Sequence, residues 1–288
     1  MNSIQRIAPQ DYPPLLREIN DPPMSLYYTG QLPDPTENTY LCVVGSRKNS
    51  SYGKEVCEKL IHDLAGFPIV IVSGLALGID GIAHRAAIDA KLKTIAVPGS
   101  GLDHEVLYPR SHLGLAKQIV ESGGALLSEF EPKFRATPYS FPQRNRIMAG
   151  ISKATLIIEA ERRSGTLITA RLAMEYNREV LTVPGSIFSK LSEGPHYLIR
   201  NGATPVATRN DILEALGFTI DDAPVNNQFE IENCSPEERR ILEILREPIP
   251  RDELVRKSAL GAGAVNALLS MLELKGLIKE VGGEIHRT

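Results

Sequence analysis

Cysteine is scarce in this chain. Cys42, Cys57 and Cys234 lie far apart and no C-x-x-C pair occurs. That spacing speaks against a disulfide framework and a cysteine-rich zinc site, and it fits a reducing cytoplasm. Long apolar runs are missing too. None approaches the roughly eighteen residues of a spanning helix, and Met1 to Asn20 holds no apolar signal core, so neither secretion nor membrane insertion is expected. Charge of one sign is not in excess either, the formal net charge being −3 over 288 residues. With no global basic field, any nucleic-acid binding must come from a local patch.

Nucleotide and catalytic fingerprints are equally lacking. Nothing matches G-x-x-x-x-G-K-[ST], and Ser73-Gly74-Leu75-Ala76-Leu77-Gly78 lacks the G-x-G-x-x-G spacing, so neither a P-loop ATPase nor a bound dinucleotide is expected. No G-x-S-x-G elbow and no H-E-x-x-H occurs. Asp80 and His84 stand four residues apart on one predicted helix face. They suit an acid–base pair, two metal ligands or a plain helix-face hydrogen bond, and no third ligand accompanies them. The expectation is no metal and no cofactor.

What is present is an alternation. From Tyr40 onward, apolar runs (Leu41–Val44, Ile69–Ser73, Thr94–Val97, Ala125–Ser128, Ala154–Glu159, Val180–Val183) alternate with amphipathic helices. Such runs joined by helical crossovers predict a doubly wound, Rossmann-like α/β domain with a mostly parallel sheet covered on both faces, residues 40–218. Residues 1–39 are rich in proline and read as an arm laid over that domain, with one short helix around Pro14 to Ile19. Residues 219–234 are polar and aperiodic and read as a linker. Beyond it, Ser235-Pro236-Glu237-Glu238 is a helix start, two further helices follow, and Gly282-Gly283 centres a hairpin. Residues 235–288 therefore predict a small winged helix. Its nine Lys/Arg cancel nine Asp/Glu, and the third helix is nearly uncharged, which favours a partner-binding or auxiliary module over a duplex reader.

The stretch around which the chain is organised is Phe141-Pro142-Gln143-Arg144-Asn145-Arg146, followed by a buried strand and the turn Ser164-Gly165-Thr166. Pro142 disfavours helix before Gln143, so Asn145 is the expected N-cap, with Arg144 and Arg146 at a helix N-terminus where phosphate is attracted. Upstream, Lys133, Phe134, Arg135, Tyr139 and Phe141 interleave cations with rings, and no Asp or Glu lies between Pro132 and Arg146. Stacking rings with backbone-tracking cations suit an extended single strand. A solvated basic loop whose rings pack on the core fits the same residues. Small-residue turns after the strands (Gly45-Ser46, Ser73-Gly74, Pro98-Gly99-Ser100, Pro184-Gly185-Ser186) share the strand-end rim where open α/β sheets bind ligands, and they equally let helices pack closely.

Taken in order, Val44-Gly45-Ser46-Arg47, Ser73-Gly74-Leu75-Ala76-Leu77-Gly78-Ile79-Asp80, Gly101-Leu102-Asp103 with Tyr108-Pro109, Phe141 to Ile147, and Ser164-Gly165-Thr166-Leu167-Ile168-Thr169-Ala170 closely resemble the DNA-processing protein A family (DprA, also called Smf). The likeness spans about Tyr12 to Leu216, in the form that carries a C-terminal winged helix. It implies a non-enzymatic homodimer that binds single-stranded DNA and helps load the RecA recombinase onto it in natural transformation. It also implies DNA contacts by Arg47, Ser73, Gly74, Arg144, Arg146, Ser164, Gly165 and Thr166, joined by Lys133, Arg135, Phe141 and Asn145 from the basic stretch, with Asp80 and His84 architectural. Enzymes of related fold, the nucleoside-monophosphate phosphoribohydrolases of the lysine-decarboxylase-like group, carry P-G-G-x-G-T-x-x-E. Thr169 stands where their carboxylate would be.

Overall fold

The proline-rich N-terminal segment is more than an arm. In the computed structural model it forms β1 (Gln5–Ile7), the short helix α1 (Pro14–Arg17) and β2 (Leu26–Gly30). β2 pairs antiparallel with a strand of the main sheet, Tyr27 opposite Ser128 and Gly30 opposite Ala125. Proline and glycine density hid these strands in the sequence. The exposed edge of the neighbouring strand, which would otherwise leave backbone groups unpaired, recruits them. The structure describes residues 3–219, 234–245, 249–258, 260–275, 277–281 and 283–287, and the chain divides into two units, Met1–Asp222 and Ala223–Thr288. The expected linker falls almost wholly outside the described residues.

In the first unit the apolar runs are β3 (Thr39–Val44), β4 (Ile69–Ser73), β5 (Lys93–Ala96), β6 (Ala125–Ser128), β7 (Ala154–Ile157) and β8 (Glu179–Thr182), ended by the short β9 (Thr204–Pro205). Among the described residues the sheet order is β1-β2-β6-β5-β4-β3-β7-β8-β9, with β3 to β9 parallel to one another and β1 and β2 antiparallel at the β6 edge. Chain order runs outward from β3 to β6 on one side and from β7 to β9 on the other. The reversal between β3 and β7 is a topological switch point, where the two following connections part and leave a crevice.

The crossovers are α2 (Ser51–His62), α3 (Ile79–Asp89), α4 (Leu113–Glu121), α5 (Ser140–Ile151), α6 (Gly165–Glu175), α7 (Glu193–Arg200) and α8 (Arg209–Ala215). Alternate strand residues feed opposite faces. Cys42, Val44, Val70, Val72 and Ile157 pack with Leu16 of α1, Ile147 and Met148 of α5 and Ala170 of α6. Ala96 and Leu126 pack with Leu115, Ala116 and Ile119 of α4. With both faces covered, the strands carry the near-continuous apolar runs that marked them in the sequence.

Helix α5 corrects one expectation. It begins at Ser140, not after Asn145, and Pro142 sits inside its first turn. First-turn N–H groups have no intrahelical acceptor, so proline forfeits nothing there. Ser140 N–H instead bonds Thr137 O at 3.1 Å, and Gln143 N–H begins the ladder to Tyr139 O at 3.3 Å. Arg144, Asn145 and Arg146 therefore lie in the second turn, and no N-terminal dipole acts at the two guanidiniums.

The second unit is built from α9 (Pro236–Ile244), α10 (Arg251–Ser258) and α11 (Ala262–Leu274) with strands β10 (Ile249–Pro250), β11 (Ile278–Val281) and β12 (Glu284–Arg287) in the order β10-β12-β11. Ser235 and Glu238 close a reciprocal capping box at the start of α9. Ile241, Leu254, Val265, Leu269, Leu272 and Ile285 form its own core. Three helices and a hairpin are the winged-helix arrangement that the sequence predicts.

Candidate nucleic-acid interface

The crevice at the switch point is real: a cleft of about 720 Å³ opens between the turn after β3, the first turns of α5 and the turn from β7 into α6. Arg47, Phe141, Arg144, Asn145, Ser164, Gly165 and Thr166, all expected at the site, line it. A second, narrow recess beside it is walled by Arg47, Gly74, Phe141 and Arg144.

Each wall has a physical reason for its position. The α6 wall is a helix N-terminus. The Ser164 hydroxyl accepts the Thr166 N–H at 3.1 Å, and the Thr166 hydroxyl donates to Gly45 O at 3.2 Å, locking the turn against β3. On the open side of Gly165 no atom lies within 4 Å of where a Cβ would stand, so a ligand reaches the backbone. Asn145 Nδ2 donates to Gly165 O at 3.4 Å and ties α5 to α6. Opposite, the Arg47 guanidinium lies 5.2 Å from the centre of the Phe141 ring, a cation–π contact that leaves its N–H groups for an anion.

Arg144 forms the floor. It is only 4% exposed and its Nη1 donates to Val97 O. Burial pulls its guanidinium pKa down, and the Asp80 carboxylate, itself buried, opposes that shift. Burial likewise pushes Asp80 up, against the pull of Arg144 and of the Gly74 and Ala76 N–H groups, which donate to its Oδ2 at 3.1 and 3.4 Å. A guanidinium stays charged in proteins, so the floor is a fixed cation, with the buried Asp80 carboxyl group near it. Asp80 thereby shapes the turn after β4, where Leu75 adopts φ 57° and Gly78 φ 76°. His84 on the same helix is buried, and its Nδ1 lies 2.7 Å from Thr94 Oγ1. Both residues act as architecture.

Four expected residues are placed elsewhere. The Ser73 hydroxyl is buried and donates to Val43 O at 2.6 Å. Arg146 lies outside the cleft: it pairs with the Glu129 carboxylate and donates to Asp21 O at 2.6 Å. The Tyr176 hydroxyl donates to the Asp21 carboxylate at 2.8 Å, so this cluster fastens the N-terminal segment to the sheet. Lys133 and Arg135 stand exposed on the loop before α5 and do not line the cleft. That loop is pinned by Gly101 N–H to Phe134 O and Asp103 N–H to Pro132 O, both 2.9 Å, and Phe134 stacks on Phe130 at 4.5 Å. One of the interleaved rings thus packs back on the protein. Lys48 and Glu161 line the cleft without having been expected there. Their signal was position alone, next to the turns on either side of the switch point. Among the described residues no cluster of three His, Cys, Asp or Glu is placed to hold a metal ion, and no helix is long and apolar enough to cross a membrane.

The family model for DNA recombination-mediator protein A matches residues 3–217. The chain belongs to this family. A second model, the DprA winged helix domain, matches residues 230–284. Protein Smf of Escherichia coli K12 is 40% identical over 278 residues, 94% of this chain and 74% of that protein. The DNA processing protein DprA of Streptococcus pneumoniae R6 is 44% identical over 207 residues, 72% of each. A crystal structure of DprA from S. pneumoniae, 42% identical, superposes with a TM-score of 0.68 over 74% of both chains. A structure of DNA processing protein A from Helicobacter pylori, described for its single-stranded DNA binding mode, is 28% identical and gives a TM-score of 0.67 over 75% of this chain and 96% of that one. The mostly parallel α/β sheet and the winged helix are those of the family.

Proposed function

We propose that this member of the family is a non-enzymatic, cytoplasmic homodimer that binds single-stranded DNA without sequence preference and helps load RecA onto it during recombination and natural transformation. The observation that carries the reading is the switch-point cleft, where Arg47, the buried cation Arg144 and the N-terminus of α6 converge on one space flanked by the Phe141 ring. Fixed cations and unpaired backbone N–H groups take a phosphodiester, and an adjacent ring takes a base. The H. pylori relative, whose structure is described for its single-stranded DNA binding mode, supports the same ligand. Cys42, Cys57 and Cys234 are buried and form no disulfide with one another, in keeping with a reducing compartment. Lys133 and Arg135 join Arg47 and Arg144 in the proposed contact set through the basic stretch, whereas Arg146, held by Glu129 and Asp21, serves to anchor the N-terminal segment.

Fluorescence anisotropy with labelled oligothymidine and an equal-length duplex, at two salt concentrations, tests the reading. Preference for the single strand, lost in Arg47→Ala and Arg144→Ala, is the expected result. With about four cations on phosphate, log K against log salt falls with a slope near −3, at roughly −0.7 per contact. A salt-independent affinity overturns the electrostatic cleft. Sedimentation at micromolar protein tests the homodimer, and RecA filament assembly on protected single strands tests loading. Release of free base from nucleoside monophosphates would instead favour the phosphoribohydrolase chemistry; Thr169, buried in the cleft wall, offers it no carboxylate.

A further inference from the structure

Beside the cleft, two half-exposed side chains face solvent from rigid turns. Leu77 is 48% and Tyr108 47% exposed, and both line the narrow recess that shares Arg47, Ala76, Phe141 and Arg144 with the cleft. Neither has a packing reason to be outside. Leu75, two residues before Leu77, is fully buried, and so is Leu107, next to Tyr108. The turn carrying Leu77 is held by Asp80 through the Gly74 and Ala76 N–H groups. The Tyr108 N–H donates to Ser100 Oγ at 3.2 Å, and the Tyr108 ring leans on Phe141 at 5.6 Å between centroids and 55° between planes. Phe141 in turn carries the Arg47 guanidinium. An apolar and aromatic surface is therefore continuous with the phosphate-binding wall and is fixed before any ligand arrives.

We propose that Leu77 and Tyr108 form a base-stacking platform for the nucleotide adjoining the phosphate held in the cleft. This rests on the single-stranded DNA reading above and adds to it the surface that takes a base next to the backbone. The recess between the two residues has a volume of only about 30 Å³, room for a water and not for a base. The base therefore lies across its mouth, on the outer faces of Tyr108 and Leu77. Stacking on a π-face and an alkyl surface does not discriminate among bases, which keeps binding independent of sequence. The Tyr108 N–H is bonded to Ser100 and its ring leans on Phe141, so little conformational entropy is lost there on binding.

The test compares oligothymidine with an abasic oligomer of equal length, using the full chain. Losing one stacked base lowers affinity by about fivefold to a hundredfold. Tyr108→Ala and Leu77→Ala should each weaken oligothymidine binding by at least about fivefold, leave the abasic oligomer unaffected and keep the wild-type salt slope, while Tyr108→Phe binds as the wild type does. Leu77→Ala changes a half-exposed side chain and keeps the test valid should Tyr108→Ala misfold. Wild-type affinity in both alanine variants, or an equal loss on the abasic oligomer, overturns the platform and leaves the cleft reading standing. A wild type that binds no single strand at all overturns both.

Discussion

The guanidinium of Arg144 occupies the space that a side chain at Gly74 would need: a Cβ there would collide with Nη1 and Nη2. The backbone of Gly74 is in turn held by Asp80 Oδ2 at 3.1 Å. The strand-end turn and the cleft floor are thus one packed unit, and the smallest change at Gly74 acts on Arg144. Gly74→Ala is expected to cost about 1–3 kcal/mol of stability, as overpacked sites do, and to weaken single-strand binding by shifting the cation. Chemical denaturation together with anisotropy checks this. Unchanged stability and affinity would show that the floor yields freely.

Arg146 presents the opposite case. Its side chain is 12% exposed and its partner Glu129 7%, and the pair anchors the segment around Asp21. Removing one partner of a buried pair leaves the other charge uncompensated, at about 3 kcal/mol or somewhat less for a site that retains some water. Arg146→Ala should lower the melting temperature while the salt slope of DNA binding stays at the wild-type value. A slope shallower by about 0.7 with an unchanged melting temperature would place Arg146 on phosphate. The double variant Arg146→Ala/Glu129→Gln should recover part of the lost stability, because the stranded carboxylate is gone.

Strands buried on both faces and helices with one apolar face were readable because burial imposes a period on the sequence. The switch-point crevice follows from strand order, which no local pattern encodes; the ordered motif set supplied only residues that line it. The start of α5 was misread because Pro142 is neutral in a first turn and disruptive later, and the sequence does not say which turn it occupies. Two adjacent arginines with the same chemistry part company for a similar reason. Arg144 and Arg146 are two positions apart on a helix, so they project in different directions, one under the cleft and the other toward Glu129. Strand β2 was hidden because its partner in the main sheet lies about a hundred residues away, Tyr27 facing Ser128, and β1 was hidden with it because it pairs with β2.

Among the described residues, α11 offers little with which to read duplex DNA. On α11 the outward residues include Ala264, Ala267, Ser270 and Met271. Asn266 is engaged by Arg251 at 3.4 Å, Arg251 is tied to Glu280 at 2.6 Å, and Lys275 just after the helix pairs with Glu238 at 2.7 Å. Charges neutralised within the domain release no counterions from a phosphate backbone. Unlabelled duplex should therefore compete poorly for the oligothymidine complex, and a chain ending at Asp222, the limit of the first unit, should keep the single-strand affinity within about twofold (less than about 0.4 kcal/mol). A tenfold loss on truncation would assign the winged helix a direct part in binding.

His84 sets an acid limit on the main domain. It is wholly buried, and the Thr94 hydroxyl on its Nδ1 donates to Ile71 O at 2.7 Å. Nδ1–H therefore donates to Thr94 Oγ1, which fixes a neutral tautomer. Burial, first among the causes, pushes its pKa down to about 3 from an ordinary 6.5. The unfolded chain takes up this proton near pH 6.5 and the folded chain resists it until about pH 3. The unfolded state thus binds more protons across that window, and stability is complete above it and falls as the pH drops through it. One such proton gives a limiting slope of about 1.4 kcal/mol per pH unit. Urea midpoints between about pH 7.5 and 5.0, from above that window into its upper part, should decline in the wild type and less steeply in His84→Asn, whose amide nitrogen stands near the position of Nδ1 and can donate to Thr94. Parallel declines in the two proteins would assign the acid sensitivity to the carboxylates instead.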